Sequence, residues 1–241
     1  MTHVLGVLSL LVVSIPALAD EAAIRRMMKE KLHAGGEVES VQKAPFGDLY
    51  EVVIRTRGGA LVYYVDRRAT VIIAGQVMDA KTGRNLTEER QRELSAIKWD
   101  SLPFDWAITS VSGTGRRRIA VLSDPNCTFC KRFEEDLAKL DDITVYILPW
   151  AVIKPESVRQ ATAVWCSKDR AKAWNDLMFQ RIEPQAPADC DNPIEKIIEF
   201  GRKIGANSTP TWFLETGERY SGAMPLEEVR TLLDQASPAK P

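Results

Sequence analysis

Ser123-Asp124-Pro125-Asn126-Cys127-Thr128-Phe129-Cys130 is the stretch on which the reading of this chain turns. Before it, Arg117 to Ser123 reads as an apolar strand. After it, Cys127 to Leu140 reads as an amphipathic helix with Phe133, Leu137 and Leu140 on one face. A thiol at a helix N-terminus lies beside unpaired backbone N–H groups and the positive end of the helix dipole. Both favour the thiolate, which is the reactive species. Cys130, one turn further on, can close a disulfide with Cys127. The pair therefore points to thiol–disulfide exchange.

The pattern around this stretch is β and α in alternation. Ile143 to Leu148 is a second strand, apolar enough to be buried on both sides. Glu156 to Gln180 reads as one long helical region, with Val158, Ala161, Trp165, Trp174 and Leu177 as its core positions. Ile194 to Ile204 is a further helix. Thr211 to Leu214 and Arg219 to Ser221 form a hairpin around Glu215-Thr216-Gly217, and Pro225 to Leu233 is a last helix. Strand, Cys-x-x-Cys helix, strand, helices, hairpin and helix is the order of a thioredoxin fold with a helical insertion.

The N-terminal half has a different texture. Val4 to Ile15 is apolar but too short to span a bilayer. Pro16 and the A-x-A triplet Ala17-Leu18-Ala19 complete an export signal, although Met1-Thr2-His3 lacks Lys and Arg. Glu21 to Leu32 has helical spacing in Ile24, Met27, Met28 and Leu32. Strand-like runs follow at Leu49–Arg55, Leu61–Val65 and Thr70–Ala74. A helix and a few strands make a small α+β module with a thin core, of a size that often relies on a partner. Thr87 to Ile97, with Thr87 as N-cap and Glu88 and Glu89 in its first turn, is too polar for a core helix and reads as a connector.

Four cysteines in an exported chain are an even set in an oxidising setting. Local geometry favours Cys127 with Cys130, which leaves Cys166 with Cys190. That second pair closes a loop of about 24 residues and reads as structural. A formal net charge of −1 and the lack of a basic patch interleaved with aromatics argue against nucleic acid. Arg116-Arg117-Arg118 reads as a solvated strand start. Gly113-Thr114-Gly115 lacks the Gly-Lys-Ser/Thr of a phosphate loop. The cysteine spacing does not suit a zinc ribbon, so no metal or cofactor is expected. A cysteine protease would need a histidine base, and beyond the leader only His33 remains, in the other module.

Taken together, several motifs resemble the DsbC/DsbG family of periplasmic protein disulfide isomerases. They are Cys127-Thr128-Phe129-Cys130 after a strand ending in Ser-Asp, and Val164-Trp165-Cys166-Ser167-Lys168-Asp169 with Asp189-Cys190-Asp191. Gly205-Ala206-Asn207-Ser208-Thr209-Pro210-Thr211 and the tail Tyr220-Ser221-Gly222 to Leu233 complete the set. The resemblance implies a signal peptide at 1–19 and an α+β, cystatin-like dimerisation domain at 20–82. A linker helix at 83–102 and an α/β thioredoxin-like catalytic domain at 103–241 follow. It implies a periplasmic V-shaped homodimer around an apolar cleft, acting on misoxidised exported clients, with a membrane thiol reductase of the DsbD type as electron donor. Cys127 would be the nucleophile and Cys130 the resolving thiol. Thr128 and Phe129 would tune the redox potential. Thr209 and a cis Pro210 would contact substrate, and Cys166–Cys190 would be the structural disulfide. Thr128-Phe129 departs from the Gly-Tyr and Pro-Tyr of well-known members. The place of thioredoxin's buried acid, near Val121, is apolar, which suggests little help in deprotonating Cys130. Three readings follow: a dimeric isomerase or reductase; an oxidant or a narrow sulfenic-acid reductase; and a holdase chaperone.

Overall fold

The computed structural model describes residues 16–31, 36–56 and 59–237. The expected signal segment therefore lies outside the described residues up to position 15. Two compact units emerge, one holding residues up to Thr87 except 57–59, the other beginning at Glu88. Among the described residues no helix is long and apolar enough to cross a membrane.

The first unit packs helix α1 (Pro16–Lys31) on a four-stranded sheet of β1 (Glu37–Lys43), β2 (Leu49–Thr56), β3 (Gly59–Asp66) and β4 (Ile72–Ile73), in that spatial order. Ile24 and Met28 of α1 meet Val38, Val41, Tyr50, Val52, Ile54 and Val65 in its core. β1 is a strand that the sequence concealed. A bulge between Val38 and Ser40 breaks the alternation, so its two buried apolar residues stand three apart. β4 is shorter than the expected Thr70–Ala74. Asp66 explains the shortening, because its carboxylate accepts from the Thr70 and Val71 backbone N–H groups at 2.6 Å and holds that stretch in a turn. Ile72 and Ile73 stand at the sheet edge, both more than a third exposed.

Helix α2 (Leu86–Ser95) is shorter than the connector expected from the sequence. Thr87 lies inside its first turn rather than capping it. The buried Thr87 hydroxyl accepts from Val77 N at 2.9 Å and lies 3.0 Å from the Tyr64 hydroxyl.

In the second unit the sheet runs β5 (Ile108–Ser112), β7 (Ile143–Pro149), β6 (Arg117–Ser123), β8 (Thr211–Leu214), β9 (Arg219–Ser221). β6 and β7 are parallel and the remaining pairings antiparallel. Period-two alternation along β6 sends Ile119 and Val121 to one face, and Ala120 and Leu122 to the other. The first face is covered by Phe133 and Leu137 of α3 (Thr128–Leu137) and by Val229 and Leu233 of α7 (Leu226–Ala236). Ala161 of α4 (Pro155–Cys166) and Ile194, Ile197 and Ile198 of α6 (Ile194–Lys203) cover the second. β5 escaped the sequence reading because it is an edge strand on which Ile108 alone is buried.

Glu156 to Gln180 is not one helix. α4 ends at Cys166, Asp169 caps α5 (Arg170–Asn175) by accepting from Lys172 N, and a π-helical turn spans Asp176–Gln180. Two glycines allow close approaches here. A Cβ on Gly201 would lie 2.3 Å from Trp150 Nε1, and one on Gly217 (φ +88°) 2.4 Å from the Ile97 carbonyl oxygen.

Candidate active site

Cys127 is the N-cap of α3 rather than its first residue, with extended dihedrals of φ −88° and ψ 114°. Its sulfur takes the role usually played by an oxygen and accepts from Cys130 N at 3.2 Å. Its neighbours Thr128 and Phe129 point to solvent, Phe129 being 63% exposed, whereas Cys130 is fully buried. Both sulfurs are free thiols.

Across from α3, the loop entering β8 brings Thr209 and Pro210 to the same place. The Thr209–Pro210 peptide is cis. The Cys127 sulfur lies 3.5 Å from the Thr209 carbonyl oxygen, to which it donates when protonated. Cys127, Cys130, Thr209 and Pro210 thus converge. Cys166 and Cys190 do not join them. They bond to each other, S–S 2.03 Å, and tie the end of α4 to the segment leading into α6.

The two thiols are driven apart electrostatically. A hydrogen bond from Cys130 is the largest influence on Cys127. With help from the Thr209 side chain and the Cys130 and Phe129 N–H groups, it outweighs burial and brings the Cys127 pKa down to about 6. Cys130 goes the other way. Its proton is held by the hydrogen bond to Cys127, and burial further disfavours its charge. Cys127 is therefore a thiolate at neutral pH beside a protonated Cys130.

Two buried carboxyl groups support this site. Asp124, at the end of β6, is fully buried. It accepts from Asn126 N at 2.7 Å, Val152 N at 2.6 Å, Ile153 N at 2.8 Å and the Ser157 hydroxyl at 2.8 Å. One side chain thus joins the active-site turn to the loop after β7 and the start of α4. Asn126 extends the link by donating to the Ser157 hydroxyl at 2.9 Å and to Gln160 at 2.7 Å. The reach of Asp124 across two loops is not written in the local sequence around it. Glu134, one turn beyond Cys130, escaped notice altogether. Nothing in its spacing separates it from the exposed Glu135 beside it. It is buried, hydrogen-bonded to the Ser123 hydroxyl and to Trp174 Nε1, the latter at 2.7 Å. Val121 is apolar as expected, yet the site is not without a buried acid, because the helix supplies one in place of the strand.

A thioredoxin fold with a low-pKa thiol at the N-terminus of its first helix, facing a cis-proline loop, defines a thiol–disulfide oxidoreductase. The thioredoxin-like domain model matches residues 104–237, and the model of the disulfide bond isomerase protein N-terminal domain matches residues 16–88. The probable thiol:disulfide interchange protein DsbC of Bordetella parapertussis is 38% identical over 199 residues, covering 83% of this chain and 69% of that relative. The thiol:disulfide interchange protein DsbC of Escherichia coli K12 is 27% identical over 226 residues, covering 91% and 89%. A crystal structure of a disulfide interchange protein from Neisseria gonorrhoeae superposes with a TM-score of 0.54 at 36% identity, covering 56% of this chain and 98% of that one. The chain belongs to the DsbC family of thiol:disulfide interchange proteins, with a DsbC-type N-terminal dimerisation domain ahead of a thioredoxin-like domain.

Proposed function

We propose that this protein isomerises wrong disulfides in exported proteins, as a periplasmic homodimer, with Cys127 as nucleophile and Cys130 as resolving thiol. The single observation that carries the reading is the geometry of the two thiols: the Cys127 sulfur caps α3, accepting from Cys130 N at 3.2 Å and lying 3.5 Å from the Thr209 carbonyl oxygen of the cis-proline loop, while Cys130 is fully buried. The Cys127 thiolate attacks one sulfur of a client disulfide, forms a mixed disulfide and expels the other client sulfur as a thiolate. That thiolate can attack a second client disulfide, and a client thiol then displaces Cys127, so no electrons are gained or lost overall. Alternatively Cys130 loses its proton, attacks Cys127 and releases the client reduced. The enzyme is then left as the Cys127–Cys130 disulfide, needing two electrons from a membrane reductase of the DsbD type. A resting Cys130 that keeps its proton favours the first route.

Thr209 and Pro210 would present backbone groups to an extended client strand beside the sulfurs. The exposed Phe129, Val152 and Ile153 offer apolar contact to unfolded chains, and Thr128 and Phe129 would tune the potential. Residues 20–82 would pair two copies, a reading supported by the DsbC-type N-terminal match and by the exposed edge of Ile72 and Ile73. Residues 83–102 would link that domain to the catalytic one at 103–241, and Cys166–Cys190 would be structural.

Reactivation of a scrambled multi-disulfide protein in a glutathione buffer, with the mass in solution measured alongside, tests the reading. A dimer that restores activity, and loses that ability in Cys127→Ser, supports it. A monomer that oxidises reduced substrate without reshuffling overturns it.

A further inference from the structure

One polar side chain at the active-site turn is gripped on one side and open on the other. Asn126 directly precedes Cys127 and is partly buried. Its amide NH2 group donates to the Ser157 hydroxyl at 2.9 Å and to Gln160 Oε1 at 2.7 Å. Two carboxylates fix this orientation from behind. The Ser157 hydroxyl gives its own proton to Asp124 Oδ1, at 2.8 Å, so toward Asn126 it accepts. Gln160 Nε2 donates to Glu183 Oε1 at 2.5 Å, which turns the Gln160 carbonyl oxygen toward Asn126. A flipped Asn126 amide would set its oxygen against two acceptors, so one orientation remains. Both N–H bonds of the amide are therefore committed, and Asn126 Oδ1 accepts from no group among the described residues. The buried polar atoms without a partner there are Arg117 Nε, Ser208 Oγ and Glu215 Oε2, so Asn126 Oδ1 opens to solvent.

We infer that Asn126 is a substrate-binding residue whose Oδ1 accepts a backbone N–H of the client chain beside the disulfide that Cys127 attacks. The sheet order places it across from Thr209. β6 lies between β7 and β8. The Thr209–Pro210 loop arrives on the β8 side, where the Thr209 carbonyl oxygen lies 3.5 Å from the Cys127 sulfur. Ser157 and Gln160 belong to α4, which follows β7, so the Asn126 amide is held toward the β7 side. An extended client segment seated along Thr209, with its disulfide at Cys127, passes on toward Asn126.

A fixed neutral acceptor suits that place. A carboxylate would repel the Cys127 thiolate, and a freely turning amide could donate to it and blunt its attack. The anchored carbonyl oxygen does neither, and it receives the donor that every residue except proline carries. Its orientation is set before the client arrives, so little is lost in ordering it on binding. The contact reads the peptide backbone and not the client's side chains, so it favours disulfides within polypeptide over small-molecule disulfides. It rests on Cys127 being the nucleophile of the proposed reaction.

The test uses the full reduced chain with either of two disulfides in excess, quenched with acid and resolved by mass. One is the symmetric disulfide of the blocked tripeptide acetyl-Gly-Cys-Gly-amide. The other, the dimethyl ester of dithiodipropionic acid, has no N–H or O–H group. The rate proportional to disulfide concentration reports attack by Cys127. In Asn126→Ala the peptide-to-ester rate ratio should fall about three- to tenfold, the worth of one hydrogen bond between neutral groups. Gln160→Leu removes one of the two acceptors that hold the amide and leaves Asn126 in place. It should lower the ratio in the same direction by a smaller factor. Methylating the peptide nitrogens at and after the cysteine should slow the wild type more than Asn126→Ala. A purely structural Asn126 would slow both disulfides alike and leave the ratio at its wild-type value. That result, or an N-methylated peptide that reacts with the wild type as fast as its parent, overturns the inference. Reaction of the ester with Cys127→Ser would instead remove the nucleophile on which the inference rests.

Discussion

At the residue scale the chemistry comes down to which of two thiols can shed a proton. Cys127 has a sulfur-accepting N-cap geometry, a neighbouring thiol donor and the Thr209 side chain, all favouring its anion. Its alkylation rate by iodoacetamide should therefore rise with pH through an inflection near 6, well below the ordinary thiol value near 8.5. The sign of the stability effect follows. A depressed pKa stabilises the reduced fold above the unfolded value and loses that contribution as pH falls through about 6. The reduced protein should thus gain stability over the oxidised one between pH 6 and 8, as denaturant melts of both forms would show. Glu134 has the opposite sign. Its pKa is raised, so its contribution is full below the unfolded value and is lost as pH rises through about 7. From pH 4 to 8 the wild type should lose on the order of 3 kcal/mol relative to Glu134→Gln, measurable by urea unfolding at each pH. Cys127 was legible in the sequence because a helix N-terminus is a local feature. Glu134 was not, because its burial depends on Trp174, 40 residues away.

At the element scale, the position of α3 is set by a polar brace more than by packing alone. Asp124 gathers three backbone N–H groups and one hydroxyl from two loops and α4. Asp124→Asn replaces an acceptor oxygen by an NH2 group and leaves buried donors facing a donor. It should cost about 2–4 kcal/mol by the penalty for unsatisfied buried groups, seen as a lowered urea midpoint. The disulfide between α4 and the α6 approach acts through the unfolded chain. Replacing Cys166 and Cys190 together by Ala should cost about 3 kcal/mol by loop-closure entropy while the Cys127 alkylation rate stays near that of the wild type. The elements read correctly from the sequence are those whose periodicity survives in the fold: β6, β7, β8, β9 and α6. β1 and β5 were missed because a bulge hides one pattern and an exposed edge erases the other. The Glu156–Gln180 region was read as continuous because its break at Ser167 and Lys168 lacks Gly and Pro.

For the whole molecule, the small N-terminal core of α1 on four strands leaves the apolar edge at Ile72 and Ile73 uncovered within its own unit. An edge of that kind is a site for pairing with another chain. Isomerase activity per chain should therefore fall on dilution over the same concentration range in which the mass drops from two chains to one. Activity that stays constant through dissociation would separate pairing from catalysis.

By itself the sequence determined the class of chemistry, the βα register around Cys127, the thioredoxin-like order of elements and the division into two modules. All of these are written in local spacing: a helix start, a strand period, a turn residue. The tertiary structure alone decided that Thr209 meets Cys127, that Asp124 braces two distant loops and that Glu134 lies buried against Ser123 and Trp174. Each depends on residues far apart in the chain, and burial, which sets the charge a group can carry, is a property of the packed fold and not of the local sequence.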